Sequence, residues 1–165
     1  MLHPKVADFD IEDIAHSLAL QCRWGGRIKC FYSVAEHSVR VSKITHPKYA
    51  LWGLLHDASE SAICDIPRPL KYLPQMEGYF DIEERIMNVV IEKYGLSKSV
   101  PPTVQDADNI LLITEWRDLV DDNETWRTIY PNLQPLSKPI KPWSWKKAER
   151  EFLKRFAKLT SDRSY

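Results

Sequence analysis

Cysteine is scarce, and its spacing carries no pattern. The chain has Cys22, Cys30 and Cys64 only. An odd number with no C-x-x-C pair excludes a disulfide framework and a thiolate zinc knuckle. Three free thiols, buried or half-buried in a reducing compartment, are expected instead. Excess charge is missing too: 23 Lys and Arg balance 23 Asp and Glu. Proteins that track a nucleic-acid backbone carry a basic surplus, so nucleic acid is not an expected partner. A small anion needs only a local basic pocket. No stretch approaches the ~18 apolar residues of a membrane span. The opening MLHPKVADFD is charged where a signal peptide needs an apolar run. A cytoplasmic setting, in a bacterial cell or an infected host, is expected, with no membrane partner. At 165 residues the length suits one domain over 1–165.

Alternating strand patterns, internal repeats and low-complexity runs are also lacking. What is present is helical periodicity. Ile11, Ile14, Ala15, Leu18 and Cys22 repeat along one face, with Asp10 placed as N-cap and Gly25-Gly26 as the break. Ser33-Val34-Ala35-Glu36 has the form of a capping box, which predicts a helix from Val34 with Val34, His37, Val41 and Ile44 inward. Pro47 suits the first turn of a third helix through YALWGLLHDASESA, apolar on most sides and therefore central. A fourth covers Gly78 to Tyr94, with Ile82, Ile86, Val89 and Val90 inward and Gly95 as stop. Pro101-Pro102 opens a fifth, whose stripe is Val104, Ala107, Asp108, Leu111, Leu112, Glu115 and Leu119. The polar, proline-rich stretch from Asp121 to Pro142 reads as a surface excursion. A last amphipathic helix follows Ser144, with Trp145, Phe152, Phe156 and Leu159 inward. The expected fold class is all-α.

Several of these apolar stripes hold ionisable residues. His37 lies in the second, Asp108 in the fifth, and His56-Asp57 follows the apolar run ALWGLL. One histidine in a stripe is most often a core residue, and one aspartate most often a cap. Together they imply more. A buried carboxylate without a counter-charge costs several kcal/mol, and no Arg or Lys sits in the same stripes. A divalent cation would neutralise both carboxylates. Two imidazoles and two carboxylates suit Zn, Co, Mn, Ni or Fe better than Ca, with Mg as a second ion. His3, His16 and His46 lie outside this pattern.

The order His37, His56-Asp57, Asp108 resembles the H…HD…D signature of the HD superfamily. The surrounding FYSVAEHSV, LLHDASESAICDIPRPLKY and DADNILLITEWRDL resemble small bacterial and phage phosphohydrolases, namely 5′-deoxynucleotidases and viral dATP triphosphohydrolases. The resemblance runs from about Ile11 to the final helix. It implies a metal held by His37, His56, Asp57 and Asp108, with Asp57 also beside the chemistry. It makes Glu60 the acid/base carboxylate; four residues after His56 on a helix, Glu60 would share its face. It places Asp65 on the sugar 3′-hydroxyl, Lys71 on phosphate, and Arg23-Trp24 on phosphate and base, roles that suit a guanidinium fork and a flat indole. Arg68, held between two prolines, is a further phosphate candidate.

Two positions depart from the family pattern. Relatives often carry lysine where this chain has Gln105, which removes one cation from the phosphates. The dATP-specific viral members carry isoleucine near Gly26, and a glycine there admits a purine 2-amino group. The resulting expectation is a purine deoxynucleotide hydrolase of the dATP type, releasing deoxynucleoside and triphosphate. The alternatives are a 5′-deoxynucleotidase and a non-catalytic nucleotide-binding module. No Gly-Tyr-Pro follows His56-Asp57, which weighs against a cyclic-dinucleotide phosphodiesterase. The aromatic C-terminal segment, with Trp143 and Trp145, packs inside the monomer or against a second subunit; the family resemblance implies a homo-oligomer.

Overall fold

A computed structural model describes residues 3–66, 68–71, 73–121 and 125–161, with the side chains of Arg68 and Pro69 also outside the described set. The phosphate role considered for Arg68 therefore lies outside the described residues. Among these residues the architecture is all-helical, with one isolated antiparallel bridge between Cys22 and Ser33 and no strand.

Helix α1 spans Ile11–Leu20 and buries Ile14, Ala15, Leu18 and Ala19. It stops before Cys22, which lies beyond the helix rather than on its face. Asp10 occupies the N-cap position without a capping bond; its carboxylate pairs with Lys93 instead. Helix α2 spans Val34–Ile44, and Ser33 caps it by accepting from the Glu36 amide at 3.1 Å. The reciprocal half of the expected capping box is absent. The buried Glu36 carboxylate turns to Arg40 and to the Trp143 amide. The inward stripe of α2 holds except at Ile44, which is exposed.

The predicted third helix is broken. A 3₁₀ turn at Pro47–Tyr49 leads into α3, Ala50–Leu55, every residue of which is buried. The chain then turns, and α4 covers only Glu60–Ile63. Across the junction the amides of Ala58, Glu60, Ser61 and Ala62 bond three residues back, not four. The segment is wound like a 3₁₀ helix. Each residue there advances about 120° rather than 100°, so Glu60 does not stack over His56 as α-helical spacing would have it.

A four-residue α5, Arg68–Lys71, precedes α6, Glu77–Tyr94. Gly95 ends α6 with φ 60°, and its amide bonds back into the last turn. A side chain there would meet left-handed strain. Helix α7 spans Pro102–Leu119 and α9 spans Trp145–Ser161. The expected surface excursion between them is in part tied down. A short α8, Thr125–Ile129, buries Trp126. The Leu136 amide donates to Thr114, the Arg117 guanidinium donates to the Leu136 carbonyl, and the Ile140 amide donates to Asp118.

One apolar cluster joins α1, α2, α3, α6 and α9 through Leu18, Val39, Leu54, Ile86 and Phe152. A second joins Tyr32, Val41, Ala107, Leu111, Leu119 and Ile140. Burying a side chain such as Phe152 stabilises by about 1.5–3 kcal/mol. The two clusters hold α2 against both α3 and α7, so residues on α2 reach both. Gly53 sets the α2–α3 approach: a Cβ on it would lie 2.7 Å from Thr45 Oγ1 and 3.2 Å from Ser42 Cα. All three cysteines are free, as expected, but Cys30 and Cys64 are exposed rather than buried. No described helix is long and apolar enough to cross a membrane.

Candidate metal centre

His37 enters from the first turn of α2 with no exposure. His56 enters from the end of α3, and Asp108 from the second turn of α7. One ligand atom from each lies within 4.8 Å of the others. His37 Nε2 is 3.2 Å from His56 Nε2 and 3.2 Å from Asp108 Oδ1. His56 Nε2 is 3.9 Å from Asp108 Oδ1. Asp57 Oδ2 stands 3.3 Å from His56 Nε2 and 3.7 Å from His37 Nε2. Ligands near 2.1 Å from one ion sit about 3.0 Å apart in an octahedron and about 3.4 Å apart in a tetrahedron. The observed edges fall in and just above that range.

The hydrogen bonds on the far side of each ring sharpen the fit. His56 Nδ1 faces the Gly53 carbonyl at 2.9 Å and must donate to it. His37 Nδ1 faces Glu115 Oε1 at 2.6 Å. Burial pushes the Glu115 carboxyl up, but Arg23 and His37 outweigh it and hold it below the ordinary carboxylate range. It is ionised, and His37 Nδ1 donates. With both Nδ1 atoms carrying hydrogen, two Nε2 lone pairs point into one space. That arrangement repels itself unless a cation or a proton sits between, and it is how metal-binding histidines are commonly oriented. Without an ion a proton serves: burial and Arg23 pull His37 down, but Glu115 and Asp108 more than compensate and raise it to about 9.

Arg23 supplies the counter-charge that the helix stripes lacked, and it does so from outside them. It sits in the 3₁₀ turn Arg23–Gly26 that follows α1. Both ends of the surrounding loop are pinned, by Arg23 N–H to the Tyr32 carbonyl and by Val34 N–H to the Gln21 carbonyl. Arg23 Nε reaches Glu115 Oε2 at 3.2 Å, and its Nη1 reaches Asp57 Oδ2 at 3.3 Å. Burial raises the Asp57 carboxyl, while His56, His37 and Arg23 together bring it below the ordinary value. Trp24 follows with φ 61°, a left-handed conformation rare for a bulky side chain. Its Nε1 donates to Glu115 Oε2 at 3.2 Å, and its ring meets Trp116 edge-on at 5.5 Å. Gly26, at φ 75°, has open space where a Cβ would stand.

Glu60 is buried, and its Oε2 has no hydrogen-bond partner. Burial, then Asp57 and Asp65, push its carboxyl well above the usual range. Its Oε1 lies 3.4 Å from Lys71 Nζ, which also meets Glu83 at 3.0 Å. Asp65 is half-buried, and its amide donates to Gln21. Gln105 is exposed. His16 pairs with Glu149 on the surface.

Glu115 is the residue to which sequence reasoning gave no role. The signal was present: a carboxylate in the apolar stripe of its helix, seven residues after Asp108 and so on the same face.

Fold and site together define an all-helical protein with a buried His/His/Asp cluster able to chelate a metal. No family model matches the chain. It is 45% identical over 120 residues to the uncharacterised protein YfdR of Escherichia coli K12, a match covering 72% of this chain and 66% of that one. It is 35% identical over 116 residues to an uncharacterised protein of Rhodobacter capsulatus, covering 65% and 59%. The chain thus spans about two thirds of one relative's length and three fifths of the other's.

Proposed function

We propose that this chain is a metal-dependent phosphohydrolase of the HD-domain type acting on a purine deoxynucleotide. The observation that carries the reading is the His37, His56 and Asp108 cluster, with ligand atoms 3.2–3.9 Å apart, and Asp57 Oδ2 3.3 and 3.7 Å from the two histidines. These residues would hold a divalent transition ion. When bound, such an ion supplies Lewis-acid polarisation of a phosphate oxygen and a more acidic water.

The chain's own residues do the rest. Burial and Asp57 push the Glu60 carboxyl up beside the centre, which suits a group that protonates a leaving oxygen. Arg23 and Lys71 bring positive charge to the phosphate side, Trp24 offers a fixed aromatic face to a base, and Asp65 faces the sugar. Gly26 leaves room for either purine. With a triphosphate the products would be deoxynucleoside and triphosphate, the dATP-type reaction.

A second reading has its own support. Arg23 already carries Glu115 and Asp57, Lys71 already carries Glu60 and Glu83, and the third family cation is replaced by Gln105. Little positive charge is left over for a triphosphate, which favours a 5′-deoxynucleotidase acting on a monophosphate. Product analysis of metal-loaded protein with dATP, dGTP, dAMP and ATP separates the two, with His56→Ala in parallel. Deoxynucleoside and triphosphate from dATP, lost in the variant, establish the first. Turnover of dAMP alone establishes the second. No turnover with Zn, Mn, Co, Ni, Fe or Mg refutes both and leaves a binding module.

A further inference from the structure

Glu115 is fully buried, and both its oxygens are used. Oε1 takes His37 Nδ1–H at 2.6 Å; Oε2 takes Arg23 Nε–H and Trp24 Nε1–H, each at 3.2 Å. Arg23 continues to Asp57, and Asp57 stands beside His37 and His56. The contacts close a ring: His37, Glu115, Arg23, Asp57, His37. Its members come from α2, α7, the turn after α1 and the α3–α4 junction. No member can shift without moving a neighbour, because the carboxylate is a rigid plane and its surroundings are packed.

We propose that Glu115 is a positioning residue that couples ion binding at His37 to the Arg23–Trp24 turn. One oxygen aims the ligand and the other pins the indole, so occupancy at the metal side is felt at Trp24. By linkage, whatever binds against Trp24 alters affinity for the ion by the same factor. The inference rests on the metal reading of the His37–His56–Asp108 cluster.

The test uses the full chain. Proton–nitrogen spectra resolve the six indole N–H groups, and Trp24→Phe assigns that of Trp24. Zn²⁺ titrated into chelator-treated protein should move the Trp24 signal with the midpoint of zinc uptake, followed by competition against a chromophoric chelator. Glu115→Gln should weaken uptake by about 10- to 100-fold and leave Trp24 unresponsive. An amide cannot accept from His37 with one atom and from Arg23 and Trp24 with the other.

If that variant does not fold, Trp24→Phe in zinc-free protein provides a second arm. Loss of the indole donor should shift the His37 Nδ1–H resonance, assigned with His37→Gln. A Trp24 signal that stays still through full zinc uptake overturns the coupling, as does an unmoved His37 resonance. Wild-type protein that takes up no zinc refutes the metal reading and the ion coupling with it, and the His37 arm then decides only whether Glu115 positions His37 against Trp24.

Discussion

Gly53→Ala adds one methyl where α3 packs closely against the end of α2. The new Cβ would lie 2.7 Å from Thr45 Oγ1, 3.2 Å from Ser42 Cα and 3.3 Å from Thr45 Cβ. Carbon atoms in contact prefer about 3.5–4.0 Å. Thr45 cannot simply swing aside, because its hydroxyl donates to the Val41 carbonyl at 2.8 Å, and Ser42 Cα is backbone. Helices α2 and α3 must therefore separate by several tenths of an ångström. Overpacking of this kind costs about 1–3 kcal/mol. Alanine's better helix propensity offsets up to about 1 kcal/mol. A net loss of about 1–2 kcal/mol lowers Tm by roughly 2–8 °C at this chain length.

The same shift reaches the metal centre. The Gly53 carbonyl orients His56 through Nδ1, and His37 lies on the helix being pushed away. Disturbing the partner of a ligating histidine lowers metal affinity about 10- to 100-fold. Circular-dichroism melts of chelator-treated protein measure the first effect, and chelator competition measures the second. A Tm within about 1 °C of wild type together with unchanged zinc affinity would falsify the account of why position 53 is glycine.

Three further outcomes are expected. Glu60→Gln should reduce turnover about 10²- to 10⁴-fold while zinc uptake stays at the wild-type level; lost uptake would make Glu60 part of the ion site. Arg23→Ala strands Glu115 and Asp57 without their cation and should cost about 3–5 kcal/mol, read by urea denaturation; a loss below about 1 kcal/mol would mean the pairs are solvated. His37, raised to about 9 in the ion-free fold, has two pH signatures. Zinc must displace its proton, so affinity should climb with pH about tenfold per unit up to that value. Its folded pKa exceeds the ordinary 6.5, so its contribution to ion-free stability is complete below about pH 6.5 and disappears as pH rises through about 9. A melting temperature of chelator-treated protein that rises over this window would contradict the sign.

Much of the frame was readable from residue order. Periodicity placed α1, α2, α6, α7 and α9, and ionisable residues inside apolar stripes located His37 and Asp108. The failures have physical causes. ALWGLLHDASESA contains no glycine or proline after Leu55, so nothing in its composition announces the switch to three-residue bonding at His56–Glu60. Arg23 could not be matched to Asp57 and Glu115 because they are 34 and 92 positions away, and helix periodicity pairs only neighbours. Ile44 was expected inside from its stripe and Cys64 from its residue type, yet Ile44 is the last residue of α2 and Cys64 follows the last of α4, and both are exposed. Arg117 and Asp118 reached across to the 121–142 stretch through backbone groups, which no side-chain pattern reports.

Of the three clustered side chains, His37 and His56 lie 19 positions apart and Asp108 comes much later in the chain. During synthesis, His37 and His56 emerge well before Asp108, which follows Asp57 by about 50 residues, or roughly 3–10 s at typical elongation rates. A nascent chain in that interval offers two histidines and no closing carboxylate, with Glu115 later still to orient the first ring. Its hold on an ion would be weak and its choice among ions poor. Any selection among ions at this cluster would therefore belong to the completed fold, and an ion held there would reflect what the cell has available after release from the ribosome.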